Sequence, residues 1–269
     1  MSGQGRLLPA RLKSLFVTQD FGRRIYYYPE TVSTNTAAVK LARAGEPHGT
    51  IVVADFQSRG RGRLDHQWAS RAGEDLLFTL ILRPGGDPGL KDMLPVTLVF
   101  SLAVASTLSA ALACDVSVKW PNDIIAQGGK IGGILAEGTS PPSGDGFVAV
   151  GTGVNVNSLP GSFPAQLRER VATCRSVSGR QWDRAALLAD LLMSMEGHYR
   201  RFRRDGFEAL RPDYERGLTL LGRAISFERG GRCVTATVEG VGVDGALRVR
   251  CGAGDPPLSL YNEEVRVVT

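Results

Sequence analysis

Met93 to Cys114 is a run of 22 residues without a charged side chain, the length an α-helix needs to cross a bilayer. Whether it spans a membrane or fills a core decides the class of the whole chain. Pro95, Thr97, Ser101, Ser106, Thr107 and Ser109 interrupt the run, and Leu94, Leu98, Leu102, Ala105, Leu108 and Leu112 recur along one helical stripe. A helix that is apolar nearly all round, inside a chain of ordinary composition, is one that other layers cover. The expectation is a buried core helix and no membrane. Composition agrees: 43% of residues are hydrophobic and 22% charged, as in globular domains. No leading apolar block has signal-peptide form.

Cys114, Cys174, Cys233 and Cys251 form no C-x-x-C, so free thiols in a reducing, cytoplasmic setting are expected. His48, His66 and His198 are not at ligand spacing, and no structural metal site is expected. The formal net charge of +5 fits an anionic partner and does not demand nucleic acid.

The remainder alternates. Strands are expected at 24–29, 50–56, 75–82, 116–120, 123–126, 131–137 and 147–156. Helices are expected at 36–44, capped by Ser33-Thr34 and closed by Gly45, and at 183–204. In the latter, Leu187, Leu188, Leu191, Leu192, Met195 and Tyr199 share a face. A short helix is expected near 165–171 and another at 207–216. After Gly217 the pattern turns to short strands at 224–228, 234–239 and 247–250, joined by Arg229-Gly230-Gly231 and Asp244-Gly245. That spacing reads as a small β-barrel. Two domains follow, 1–217 and 218–269.

Three segments carry chemistry. Gln57-Ser58-Arg59-Gly60-Arg61-Gly62-Arg63 follows a strand. Glycines there let backbone N–H groups turn toward an anion, and arginines supply always-charged donor forks. The alternatives are a solvated basic loop or a nucleic-acid-binding Arg-Gly tract; such tracts usually sit in low-complexity tails, and this one lies between apolar strands. Lys119-Trp120-Pro121-Asn122-Asp123 precedes Lys130-Ile131-Gly132-Gly133. On spacing alone, a polar site and a plain hairpin with an exposed lysine fit equally, and a Walker A loop is excluded by Ile124 and Ile131. Gly151-Thr152-Gly153-Val154-Asn155 lacks the G-x-G-x-x-G of dinucleotide folds. Alone, its glycines point to close backbone packing.

Taken in order, Ser33-Thr34-Asn35, Gln57 with Gly60–Arg63 and Trp68, Lys119–Asp123, Lys130–Glu137 and Gly151–Asn157 resemble the biotin protein ligases, from about Tyr26 to the end. The resemblance implies an α+β fold: a mixed sheet flanked by helices, as in class II synthetases and biotin–lipoate ligase catalytic domains, plus an SH3-like barrel. It implies activation of biotin by ATP and Mg²⁺ to biotinyl-5′-AMP, then transfer to a lysine of a biotin carboxyl carrier protein. Ser33, Thr34, Asn35 and Gln57 would hold the ureido ring of biotin. Arg61, Gly62 and Arg63 would cradle carboxylate and phosphate. Lys130 would serve both groups as the main catalytic residue, with Arg61 and Arg63 beside it. Lys119, Asn122 and Asn155 would meet the nucleotide, and Asp123 would orient the incoming lysine or a metal. Trp68 is expected to pack near the site.

Leu64-Asp65-His66 departs from the family loop, and Asp65 is expected to draw charge from the arginines. Only some 25 residues precede the first strand, so no DNA-binding domain is expected, and the protein should be a monomer or homodimer. The rival readings are a lipoate–protein ligase and a basic nucleic-acid-binding module.

Overall fold

The computed structural model describes residues 7–64, 66–83, 90–139 and 146–268. In chain order the elements are α1 (Pro9–Leu15), β1 (Ile25–Tyr28), α2 (Thr34–Arg43), β2 (Ile51–Ala54), β3 (Gly60–Arg61), β4 (Gln67–Trp68), β5 (Leu76–Leu82) and α3 (Leu90–Leu112). Next come β6 (Val116–Lys119), β7 (Asp123–Ala126), β8 (Gly129–Thr139), β9 (Phe147–Val154), α4 (Cys174–Ser178), α5 (Arg184–Asp205) and α6 (Arg211–Arg216). The chain ends in β10 (Ala224–Arg229), β11 (Arg232–Val241), β12 (Leu247–Arg250), β13 (Leu258–Leu260) and β14 (Arg266–Val267).

Seven strands form one mixed sheet in the order β1-β2-β5-β9-β8-β7-β6. β1 and β2 are parallel, joined through α2, and every other pair is antiparallel. The two faces separate by strand alternation. Val52, Ile81, Phe147 and Ala149 pack with Ala38 and Ala42 of α2. Their neighbours Ile51, Val53, Leu80, Val148 and Val150 join the larger core, to which α3 and α5 contribute. α3 contains the uncharged run as far as Leu112, and its Leu98, Val99, Phe100, Ala103, Val104 and Leu108 are fully buried. Each such large apolar side chain contributes about 1.5–3 kcal/mol on leaving water. The whole expected face of α5 is buried too, and Asp183 caps the helix by accepting from the Ala185 and Ala186 N–H groups.

Three differences from expectation bear on the site. α2 starts at Thr34, two residues early, which draws Thr34 and Asn35 into its first turn. The Arg-Gly segment is not a bare loop: β3 and β4 pair Gly60 with Trp68 and Arg61 with Gln67. The stretch 160–180 contains short 3₁₀ turns and then α4, which a Thr173–Ser176 capping box starts.

The last five strands form an antiparallel sheet ordered β13-β12-β11-β10-β14. Among the described residues its edge strands, three and two residues long, are not paired with each other, so the ladder is open. This sheet docks on the larger body. The Val118 N–H donates to the Gly217 carbonyl (2.8 Å) and the Thr219 N–H to the Val118 carbonyl (2.9 Å). Trp120 Nε1 donates to the Gly245 carbonyl at 3.0 Å.

Candidate active site

Beyond Ala149, the row of β9 residues facing α2 continues as Gly151 and Gly153, and Gly133 of β8 pairs with Gly153. A Cβ at Gly151 would overlap Asn35 Oδ1, and one at Gly153 would lie 2.5 Å from Trp68 Cε2. The glycines thus clear a floor over which Asn35 and Trp68 lie. Above it opens a pocket of about 1050 Å³. Close packing and pocket lining, which the sequence presents as alternatives, are here the same feature.

At one end stand the residues of the α2 start. Ser33, Thr34 and Asn35 are buried, and Ser33 occupies the N-cap position without a capping hydrogen bond, so its side chain remains with the pocket it lines. Gln57 Oε1 accepts from the Thr34 N–H (2.7 Å) and lies 3.0 Å from Thr34 Oγ1. Asn35 Nδ2 donates to the Leu135 carbonyl (3.1 Å) and to Glu137 Oε2 (2.8 Å). Arg61 reaches the same Glu137 oxygen at 2.6 Å.

At the other end a bulge places the lysine. Ile124 pairs with Gly132 but Ile125 pairs with Lys130, leaving Ile131 as an extra residue. An extra residue reverses the alternation of sides. Ile131 therefore enters the core, while Lys130 comes to the side of Gly133, whose Cβ would lie 3.4 Å from Lys130 Cε. Lys130 Nζ pairs with Asp123 Oδ1 at 2.5 Å and sits 5.5 Å from the centre of the Trp68 ring. Asn155 anchors the same corner: its Nδ2 donates to the Lys130 and Ala172 carbonyls (3.1 and 3.2 Å). Its Oδ1 is buried without a partner among the described residues.

Arg63 donates to the Asn262 carbonyl (3.1 Å) at the C-terminal sheet. Burial pulls its pKa below the ordinary value, against the Asp123, Glu263 and Glu264 carboxylates. Lys119 and Asn122 line the pocket as well, and Asn122 Nδ2 donates to the Ile134 carbonyl at 2.9 Å. Ser33, Thr34, Asn35, Gln57, Arg61, Gly62 and Arg63 thus meet Lys119, Asn122, Asp123, Lys130 and Asn155 around one cavity. Arg59 does not join them: it lines a neighbouring cavity of about 510 Å³. The Asp65 expectation lies outside the described residues.

Residues 27–157 match the family model described as the biotin/lipoate A/B protein ligase family. The Bacillus subtilis bifunctional ligase/repressor BirA is 31% identical over 251 residues, spanning 88% of this chain and 77% of its own length. The chain belongs to the biotin/lipoate A/B protein ligase family. A Mycobacterium tuberculosis biotin–[acetyl-CoA-carboxylase] ligase is 28% identical, covering 86% of this chain and 84% of its own. Among solved structures, a biotin protein ligase from Aquifex aeolicus in complex with biotin and ATP superposes with a TM-score of 0.78. It is 26% identical and covers 91% of this chain and all of its own.

Within this ligase-family pocket, three contributions escape the sequence. Thr79 lies fully buried under Thr34 and Asn35, and its signal is a lone hydroxyl in an otherwise apolar strand. Glu137 gathers Asn35 and Arg61, although it stands in the quoted motif without a role. The C-terminal sheet and the chain that leads into its strands supply Arg223 and Glu263 to Val267 to the pocket wall, a tertiary contact that no local pattern encodes.

Proposed function

We propose that this family member is an ATP-dependent biotin protein ligase, acting on a biotin carboxyl carrier protein in the cytoplasm. Biotin's carboxylate oxygen attacks the α-phosphorus of ATP, a new O–P bond forms and pyrophosphate leaves. A carrier lysine amine then attacks the acyl carbon of biotinyl-5′-AMP, and AMP leaves. The observation that carries the reading is that the cations Lys130, Arg61 and Arg63 and the polar groups of Ser33 to Asn35 and Gln57 line one glycine-floored cavity.

Two anions brought to about 4 Å repel by about 4 kcal/mol at an effective dielectric of 20. Preorganised cations that meet this charge act most strongly where it builds up. Lys130 is the residue assigned to both carboxylate and α-phosphate. Its pair with Asp123 is 39% and 27% exposed, so changing partners costs little. Once Lys130 turns to the acyl phosphate, Asp123 is released to orient the incoming amine. Arg61 and Arg63, with Gly62 between them, clamp the anions from the hairpin, while Lys119, Asn122 and Asn155 hold the nucleotide. Ser33, Thr34, Asn35 and Gln57 take the ureido ring.

No group of three or more His, Cys, Asp or Glu able to hold a metal ion occurs among the described residues. Asp123 and Glu137 are each paired with a cation. Among the described residues the protein groups alone do not build a metal cage, and in this reading Mg²⁺ would enter with the nucleotide phosphates as their counter-ion. The open five-stranded sheet is read as an SH3-like module, 218–269, beside a catalytic unit, 1–217. The test is ATP–pyrophosphate exchange with biotin or lipoate as the acid: exchange with biotin supports the reading, and exchange with lipoate alone overturns it.

A further inference from the structure

The polar corner contains a proton shortage. Three oxygen–oxygen contacts run through it: Gln57 Oε1 to Thr34 Oγ1 (3.0 Å), Thr34 Oγ1 to Thr79 Oγ1 (2.8 Å) and Thr79 Oγ1 to Asn35 Oδ1 (2.7 Å). Only two hydroxyl protons serve them. Both amides are fixed in orientation. Gln57 must present oxygen because the Thr34 backbone N–H, which only donates, points at it. Asn35 must present oxygen to Thr79 because its nitrogen faces a carbonyl and a carboxylate, which only accept. The Thr79 proton is therefore committed to Asn35. The Thr34 proton has two acceptors, Gln57 Oε1 and Thr79 Oγ1, and can satisfy one.

On the ligase reading above, the missing proton bears on ligand choice. Both protons of the Asn35 amide are used, so Asn35 offers no donor to a ligand. If a ligand N–H donates to Gln57 Oε1, the Thr34 hydroxyl loses nothing, because it turns its proton to Thr79. We propose that Thr79 is a positioning and specificity residue: it gives the Thr34 proton a second acceptor and so makes Gln57 and Thr34 an acceptor subsite for a ring N–H. A cyclic urea supplies that N–H, whereas a dithiolane ring cannot. Thr79 itself is fully buried and does not line the pocket. Glu137, by accepting from Asn35, holds the other end of the chain in register.

Thr79→Val keeps the shape and removes the hydroxyl, Thr79→Ser keeps the hydroxyl, and Thr79→Cys keeps the size with a weak donor. Biotin-dependent ATP–pyrophosphate exchange is measured for each, with KM for biotin and for ATP and kcat determined separately. Thr79→Val is expected to raise KM for biotin about tenfold, the weight of one buried hydrogen bond, with KM for ATP and kcat within about twofold. Thr79→Ser returns KM for biotin to within about twofold of wild type, and Thr79→Cys falls between and replaces the valine variant if that one does not fold. An unchanged KM for biotin in the valine or cysteine variant overturns the proposal, as do equal rises for biotin and ATP. Absence of biotin-dependent exchange in the wild-type protein overturns the ligase reading instead.

Discussion

Gly153→Ala tests whether the glycine floor sets the position of the arginine hairpin. The added Cβ would lie 2.5, 2.7 and 3.0 Å from Cε2, Cζ2 and Nε1 of Trp68. Ordinary contact between carbon atoms begins near 3.5 Å, so the indole must retreat by about 1 Å. Trp68 cannot move alone, because it pairs with Gly60 in the strand beside Arg61 and lies against Lys130. A misplacement of about 1 Å costs about 10²-fold in rate, and overpacking adds about 1–3 kcal/mol of lost stability. The assay is the initial rate of biotin-dependent pyrophosphate exchange beside a urea denaturation curve. Shrinking the obstructed ring in Gly153→Ala/Trp68→Phe should recover at least about tenfold of the lost rate. Gly161→Ala, where no heavy atom lies within 4 Å of the new Cβ, should stay within about twofold of wild type. A Gly153→Ala enzyme at the wild-type rate, or a double variant no faster than the single one, would refute the steric argument.

Arg184 is 3% exposed, pairs with Asp55 at 2.8 Å and donates to the Asp75 carbonyl at 2.9 Å. Arg184→Leu leaves Asp55 uncompensated and should cost about 3–5 kcal/mol in a denaturation curve; a loss under about 1 kcal/mol contradicts that. His48 stacks on Tyr199 and accepts the Arg83 N–H at Nδ1 (3.0 Å). Burial holds its pKa below 6.5. The unfolded chain therefore binds the proton first as pH falls through 6.5, and stability declines from there until the lower folded-state value is reached. His48→Gln, whose amide oxygen can accept the same N–H, should flatten the change in urea midpoint between pH 7.5 and 5.5, and an unaltered slope excludes His48 as its source.

Where periodicity carries the information, the sequence reads well. The face of α5 from Leu187 to Tyr199 and the burial of α3 follow from apolar spacing, and the strand from Asp123 to Ala126 has the bounds expected of it. The hairpin after it closes through Gln127 and Gly128, both at positive φ, the conformation of a tight two-residue turn. Two-residue strands such as β3, β4 and β14 have no period to read. The bulge at Ile131 is invisible for a different reason. Pairing across strands creates it, yet it alone decides that Lys130 and not Ile131 meets the pocket. Thr79 is a single hydroxyl among Leu77, Phe78, Leu80 and Ile81, and its role has no local signature because its partners come from α2, more than 40 residues away. The motif residues were placed in sequence by their resemblance to the biotin protein ligases, and their convergence on one cavity needed the folded chain. Arg59 shows the limit of that logic: it shares the type and spacing of Arg61 and Arg63 and points to another cavity.

Formation of the acyl-adenylate depends most directly on Lys130. Wild-type protein and Lys130→Ala, incubated with biotin, ATP and Mg²⁺, can be quenched and searched for biotinyl-5′-AMP by mass spectrometry, with melting curves confirming that both are folded. The acyl-adenylate is expected in the wild-type sample and is lost, by about 10²-fold or more, in the variant. Equal acyl-adenylate from both proteins would contradict the role of Lys130, and none from the wild-type protein would contradict the activity itself.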